Sequence, residues 1–259
     1  MTQLLTTRNF AGLQVIRAAE RPFTFNLLIY GDAGTGKTYF AGSADAVPAM
    51  RKVLHLDCES GANTLRSAWP DVDLIEVKSW AQLEKVYAAL FAGGHDYNTI
   101  ILDSLTELND YCIDSVVAEA KIRKPDFDDV LEIRDWNKVA SRMLRMIRQF
   151  RDLPMSTIFV GHMTEERDQR SGRLLKQPLL SGQLKKKLPA IPDIVLYQYV
   201  QEVEDVGLRR LLLTRKTDTC VAKARGVDMP AVLGMDEDVT MQTLYDYVLA
   251  AQLMEGTNA

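Results

Sequence analysis

The stretch that decides the fold reads Phe23-Thr-Phe-Asn-Leu-Leu-Ile-Tyr30-Gly31-Asp-Ala-Gly-Thr-Gly-Lys37-Thr38. Residues 23–30 are a mostly apolar run of β-forming side chains, which predicts a short strand that stops at Gly31. A helix is expected to begin at Gly36 or Lys37. The turn between them matches G-x-x-x-x-G-K-[ST], the pattern of a loop that binds the phosphates of a nucleotide.

The residues of this loop have separate chemical roles. Glycines let backbone N–H groups approach phosphate oxygens, and the helix N-terminus adds favourable partial charge. Lys37 would reach the β- and γ-phosphates, and the Thr38 hydroxyl would bind Mg²⁺. A glycine-rich turn with an exposed lysine is the simpler alternative, but the flanking strand and helix argue against it. The residues predicted to bind the nucleotide are Gly31, Asp32, Ala33, Gly34, Thr35, Gly36, Lys37, Thr38 and Tyr39.

A second acidic strand end occurs later in the chain. The apolar run Thr99–Leu102 predicts a buried strand that ends in Asp103. A carboxylate at the carboxyl end of a central strand lies beside the phosphate loop and can hold Mg²⁺. We therefore predict Thr38 and Asp103 as the metal-binding residues. The alternative is an aspartate that only ends the strand and caps the segment after it.

Hydrolysis also needs a carboxylate that activates water. Ser104 comes directly after Asp103, so no glutamate stands next to the metal-binding aspartate. The better candidate is Glu59, which lies just after the predicted strand 53–56 and could face water in line with the γ-phosphate. Glu107 is the second candidate, and a solvated loop glutamate at position 59 is the simpler interpretation.

The remaining pattern alternates between strands and helices as far as residue 160. This alternation predicts an α/β fold, a mostly parallel sheet with helices on both faces. Residues 164–192 show no clear period, and two strand-like runs then predict an antiparallel extension around Gly207. The predicted divisions are an N-terminal extension at 1–22, a core at 23–226 and a C-terminal helical extension at 227–259.

Composition narrows the class of protein. The chain has 259 residues, a net charge of −4 and three cysteines whose spacing fits neither a zinc site nor a disulfide framework. No run approaches the roughly 20 apolar residues of a membrane span, and the N-terminus does not look like a signal peptide. We expect no membrane partner and a cytoplasmic location.

Four segments together resemble the ATPase core of RecA. They are the phosphate loop, the segment 55–61, the strand end at Asp103 and the strand 157–162. The resemblance implies that Glu59 is the catalytic glutamate and that His162 senses the γ-phosphate. RecA has glutamine at the position of His162, so the sequence departs from the family there.

The run 134–155 is similar to small phage-encoded RecA-like proteins that are implicated in single-strand annealing and recombination. The likeness covers residues 23–226. It implies ATP rather than GTP, a partner of single-stranded DNA, a homo-oligomeric ring or filament and a possible single-strand-binding protein. It would also place the protein in the cytoplasm of a phage host.

By the same resemblance, the segment after His162 is a mobile DNA-binding loop. Residues 165–187 carry a local excess of four positive charges in a chain whose net charge is −4. Such a loop can follow a phosphodiester backbone, although it has no aromatic residue for base stacking. An ordinary surface loop or a peptide-binding lid remains open. The candidates are Arg167, Arg170, Arg173, Lys176, Lys185, Lys186 and Lys187.

Two further groups of residues are interpreted through the resemblance. In RecA-like assemblies, basic residues near Lys216, Lys223 and Arg225 reach the γ-phosphate of the neighbouring subunit, although ordinary surface charge explains them equally well. The segment Phe10–Leu13 could pack on an adjacent subunit, as an amphipathic helix would. Asn26, Tyr39 and Trp136 are interpreted as packing residues.

Three hypotheses remain open. The first is an ATPase that acts on single-stranded DNA in recombination or annealing. The second is an ATP-dependent loader or remodeller of a replication protein. The third is a binding module that is stabilised by a nucleotide and has no catalytic activity.

Overall fold

The computed structural model describes residues 8–17, 24–61, 63–167 and 172–257. The strands are β1 Arg8–Phe10, β2 Leu13–Val15, β3 Asn26–Gly31, β4 Val53–Asp57, β5 Asp73–Glu76, β6 Thr99–Asp103, β7 Ser156–Arg167, β8 Leu174–Pro178, β9 Ile194–Val203, β10 Gly207–Leu213, β11 Lys223–Ala224 and β12 Val232–Leu233. The helices are α1 Lys37–Gly42, α2 Asn63–Ala68, α3 Trp80–Ala92, α4 Leu105–Arg123, α5 Ile133–Arg151, α6 Leu184–Lys187 and α7 Met241–Thr257.

The main sheet has the strand order β5-β4-β6-β7-β3-β9-β10-β12. Every neighbouring pair from β5 to β9 is parallel, and β10 and β12 continue the sheet in antiparallel fashion. This arrangement confirms the mostly parallel α/β sheet with an antiparallel extension. It also places β3, which leads into the phosphate loop, between β7 and β9.

Helices cover both faces of the sheet, which explains why the central strands are apolar throughout. On one face, Leu28 and Tyr30 pack in a core shared with α3, α4 and α5. On the other face, Leu27 and Ile29 pack in a core shared with α1 and α7. The side-chain alternation of a strand divides these residues between the two cores. Parallel sheets buried on both faces have this composition.

Helix α5 buries one apolar face. Its side chains Val139, Met143, Ile147 and Phe150 recur at helical spacing and are all buried. The interpretation of Trp136 as a packing residue was wrong, because 42% of its surface is exposed. In the same first turn of the helix, Asp135 is the buried residue.

Two segments differ from the sequence-based expectation. Strand β7 continues past Val160 to Arg167 and pairs with β8, so the region predicted as a mobile loop begins as a β-hairpin. Cross-strand hydrogen bonds between distant residues stabilise this hairpin, and such pairing has no local sequence period. We call residues 163–167 and 174–178 the basic hairpin, after the positively charged segment 165–187 that it begins; the hairpin residues themselves carry two basic and two acidic side chains.

The segment Phe10–Leu13, considered above as part of an amphipathic helix, instead forms the turn between β1 and β2. Ala11 and Gly12 both have positive φ angles, 53° and 81°, as two-residue hairpin turns require. Helix α7 ends at Thr257. Helix α4 directly follows Ser104, and its buried apolar residues include Leu105, Leu108, Cys112 and Val116.

All three cysteines are free and buried. Burial raises the pKa of each thiol, and that of Cys112 to about 12. None is positioned as a reactive thiolate.

Candidate nucleotide site

The phosphate loop connects the end of β3 to the start of α1, as predicted. Gly34 and Gly36 have φ angles of 76° and 93°, a region that favours glycine. A Cβ atom at Gly31 would lie 2.1 Å from the backbone oxygen of Gln198, so β9 packs directly behind the loop. The side chain of Gln198 also donates to the backbone oxygen of Thr35 at 2.9 Å. These contacts fix the loop from its outer side.

Lys37 lies inside this loop, with only 7% of its surface exposed. Its Nζ donates to the backbone oxygens of Gly31 at 3.1 Å and Asp32 at 2.7 Å. Burial lowers the pKa of Lys37, and the nearby carboxylates of Asp103, Glu59 and Asp32 oppose that effect. The ammonium group is thus positioned where the phosphates of a nucleotide would lie.

The predicted metal-binding pair is in contact. The Thr38 hydroxyl donates to Oδ2 of Asp103 at 2.6 Å. In the sheet, β7 lies between β6, which ends in Asp103, and β3, which leads into the loop before Thr38. Nε2 of the buried His55 lies 3.4 Å from the same oxygen. Within the described residues, no group of three or more His, Cys, Asp or Glu side chains could hold a metal. One carboxylate and one hydroxyl suit Mg²⁺, which keeps several waters and shares the phosphates of its substrate.

Glu59 follows β4 and His162 lies in β7, on either side of β6, and the two side chains meet at the carboxyl edge of the sheet. Nε2 of His162 is 2.9 Å from Oε1 of Glu59, and the Ser104 hydroxyl donates to the same oxygen. The hydrogen bond to His162 is the main reason that the pKa of Glu59 is lowered. A group that accepts a proton from water must be ionised, and the lowered pKa favours that form of Glu59 at neutral pH.

The local turn at Glu59 is fixed by Asp57. Oδ1 of Asp57 accepts from the backbone N–H groups of Glu59 at 3.1 Å and Gly61 at 3.2 Å. Glu107, the second candidate, instead begins helix α4, where its backbone N–H donates to Ser104 at 3.4 Å. Burial raises the pKa of Glu107.

The structure thus brings five predicted residues together, and we call them the strand-end cluster. They are Lys37, Thr38, Glu59, Asp103 and His162.

The candidate DNA-binding residues differ in exposure and in ion pairing, which the sequence did not suggest. Arg173 is ion-paired with Asp218, Lys185 with Glu166, and Lys176 with Glu165 at 3.5 Å. Arg167 and the α6 residues Lys186 and Lys187 are exposed. Arg170 lies outside the described residues.

The residues expected to act on a neighbouring subunit are spread over one side of the sheet. Lys223 lies in β11, and burial lowers its pKa, as does the charge of Arg225. Arg225 is paired with Asp193 at 3.1 Å, whereas Lys216 is exposed. Their role in another subunit stays a prediction.

Sequence reasoning missed Arg210, which reaches the loop from β10. Its guanidinium carbon lies 5.8 Å from the centre of the Tyr39 ring, and a Cβ at Gly36 would meet its Nε at 2.9 Å. Tyr39, predicted as both a nucleotide-binding and a packing residue, also packs on Trp69, with ring centres 5.6 Å apart. Two consecutive arginines in an apolar strand were the available signal. The buried Asn26 is a packing residue, as predicted.

One solved structure that is similar to this chain is that of a recombinase. A crystal structure of the RadB recombinase is 16% identical, with a TM-score of 0.42, and the match covers 72% of this chain and 78% of that one. No curated protein matches the chain. In the described part of the chain, no helix is long and apolar enough to cross a membrane.

The family model described as an AAA domain matches residues 25–226, which contain the whole strand-end cluster. The match covers well over half of the sequence. The chain therefore belongs to the AAA domain family and is a P-loop ATPase whose core is a mostly parallel α/β sheet.

Proposed function

We propose that this ATPase acts on single-stranded DNA in recombination or strand annealing. In this proposal, residues 31–39 bind ATP, and Lys37 contacts the β- and γ-phosphates. Mg²⁺ held by Thr38 and Asp103 would neutralise charge on those phosphates. Glu59 would take the proton of the attacking water.

One observation carries the DNA part of the proposal. His162 contacts Glu59 at 2.9 Å, and the same strand continues into the basic hairpin. The backbone N–H of His162 also donates to Thr106 at 3.1 Å. A strand that moved on binding DNA would therefore change the position of the histidine beside the catalytic glutamate. This connection supports a sensing role for His162.

The exposed cations Arg167, Lys186 and Lys187 are the best candidates for phosphate contacts, because carboxylates already neutralise three others. Contacts of this kind bind the backbone without reading bases. Replacing Lys185, Lys186 and Lys187 with alanine should weaken binding to single strands. Lys85→Ala, an exposed lysine on α3, is the matched control.

We also propose a homo-oligomer, a ring or a filament. Phe10 and Leu13 in the N-terminal hairpin are 77% and 71% exposed, and an isolated hairpin of two strands is marginally stable in water. Packing of the extension 1–22 on a neighbouring subunit would bury these side chains. Lys216, Lys223 and Arg225 are the candidates that would reach the neighbour's γ-phosphate.

The test is steady-state ATP hydrolysis with and without single-stranded DNA, with Lys37→Ala as the blank. Stimulation that is lost in the variant supports the proposal. Hydrolysis that DNA does not change would contradict DNA dependence and leave the ATPase assignment intact.

A protein partner is the second candidate function, as expected for a loader of a replication protein. Ile122 and Ile133, near the connection between α4 and α5, are each 82% exposed. Capture of a replication protein without DNA, lost in Ile133→Asp, would favour this function. A purely nucleotide-stabilised module is tested separately, because Glu59→Gln would then leave hydrolysis unchanged.

A further inference from the structure

A cavity of about 530 Å³ lies between the phosphate loop, β9 and the basic hairpin. Its wall includes loop residues 32–35, Tyr197 and Tyr199 of β9, and Lys176 of β8. The volume is within the range of about 300–1,000 Å³ that is usual for small-molecule sites. No residue of the strand-end cluster lines the cavity.

The cavity and helix α1 lie on opposite faces of the sheet. Tyr197 belongs to the core that contains Tyr30, whereas Phe40 of α1 belongs to the core that contains Ile29. The phosphate loop therefore has α1 on one side and the cavity on the other. Phosphates of ATP bind at the N-terminus of α1, so the cavity is a neighbouring space and not the phosphate site itself.

The chemistry of the wall fits a planar base beside a phosphate. The rings of Tyr197 and Tyr199 are stacked, with centres 5.5 Å apart and planes 11° apart. Nζ of Lys176 lies 3.3 Å from the Tyr197 hydroxyl, and Thr217 and Thr219 also line the space. Tyr199 is the more exposed ring of the pair. Aromatic rings stack on bases of any sequence, and a nearby lysine attracts the adjoining phosphate.

We propose that this cavity binds a nucleobase of single-stranded DNA, with Tyr199 as the stacking surface and Lys176 beside the adjoining phosphate. The inference rests on the proposed function, in which Arg167 of the basic hairpin and two lysines of α6 contact the DNA backbone. Lys176 belongs to that hairpin, so backbone and base contacts are continuous. The hairpin itself carries no aromatic side chain among its described residues, and β9 supplies the missing rings.

Base binding here would also reach the ATPase site. Ala33 and Gly34 line the cavity, and a Cβ at Gly34 would meet no atom within 4 Å. A base that entered the cavity would therefore touch the outer side of the phosphate loop. This contact gives a direct route from DNA to the nucleotide, separate from His162.

The experiment compares Tyr199→Ala with Tyr199→Phe, which keeps the ring. Binding of the full chain to a fluorescent oligothymidylate is measured against an abasic oligonucleotide of equal length. Tyr199→Ala should weaken binding of the base-bearing strand by roughly 5- to 150-fold, whereas Tyr199→Phe should stay within a few-fold of wild type. The loss of affinity of Tyr199→Ala for the abasic strand should be clearly smaller. Thermal unfolding of each variant confirms that it is folded.

Four outcomes would overturn the proposal. If Tyr199→Ala lost the same affinity for the base-bearing and the abasic strand, Tyr199 would have only a structural role. If Tyr199→Ala weakened only the binding of a fluorescent ATP analogue, the cavity would be assigned to the base of ATP. Equal affinity of wild type for both strands would show that no base is bound. If wild type binds neither strand, the proposed DNA function fails as well, and the two failures are thereby distinguished.

Discussion

The strand-end cluster and the basic hairpin belong to the same sheet, yet their charged side chains are held in different ways. In the cluster, Thr38 of α1 meets Asp103 of β6, and Glu59 meets His162 of β7. Lys37 is held by backbone oxygens of its own loop. Around the hairpin, Lys176 of β8 and Lys185 of α6 are paired with glutamates of β7. The fold therefore preorganises the cluster, which is the condition for strong electrostatic catalysis. The hairpin cations must exchange carboxylates for phosphates, so binding there should be weaker and dependent on salt.

The largest expected effect comes from removing the buried ammonium of the cluster. Lys37→Ala should reduce ATP hydrolysis by at least about 100-fold, because a preorganised cation facing the γ-phosphate is lost. Phosphate release at saturating ATP measures the effect. Lys52→Ala is the control, since Lys52 is 56% exposed and paired with Asp96 at the surface. Substantial hydrolysis by Lys37→Ala would show that the cluster is not the catalytic site.

The next effect separates chemistry from binding within the cluster. Glu59→Gln should lower the rate of hydrolysis by about 10²- to 10⁴-fold, because the proposed general base is removed while its shape is kept. Affinity for a fluorescent ATP analogue should change little. Glu107→Gln is the matched control, and a loss of rate there but not at Glu59 would reverse the two assignments.

A third substitution tests the link between the two regions. His162→Ala should reduce DNA stimulation of hydrolysis about tenfold, since the contact with Glu59 is broken. His162→Gln, which keeps a hydrogen-bond donor, should restore part of that stimulation. Equal stimulation in wild type and both variants would mean that the hairpin and the cluster are not coupled through this residue.

The smallest effect is on stability and depends on pH. The pKa of Glu59 is lowered in the folded chain, mainly by the hydrogen bond from His162. Its contribution is therefore present above the ordinary glutamate pKa of about 4.3 and is lost as the pH falls through the lower, folded-state pKa. Because the side chain is 32% exposed, we expect at most about 1 kcal/mol. Urea unfolding of wild type and Glu59→Gln at pH 7 and about pH 3 should show a difference at the higher pH only.

The same contrast between regions explains what the sequence could predict. Gly31, Asp103 and Glu59 end or follow apolar runs, and the carboxyl ends of parallel strands meet at one edge, so local patterns locate the cluster. The role of His162 required a resemblance, because its contact with Glu59 joins residues far apart in the chain.

Other features had no local signal. Pairing of β7 with β8 depends on cross-strand hydrogen bonds, and the charges of that segment suggested a solvated loop. Gln198 and Arg210 act on the phosphate loop from strands that are adjacent only after the sheet has formed. Tyr199 lies beyond the basic segment in sequence, so base stacking was not expected near it.

The buried cysteines have a practical consequence for measuring the hairpin. Because burial raises the pKa of all three thiols, few thiolates exist at neutral pH to react with a maleimide dye. A cysteine introduced at the exposed Lys186 would therefore take the label selectively in the otherwise native chain. Its fluorescence would report directly on whether α6, beside the hairpin, changes environment when nucleotide or DNA is added.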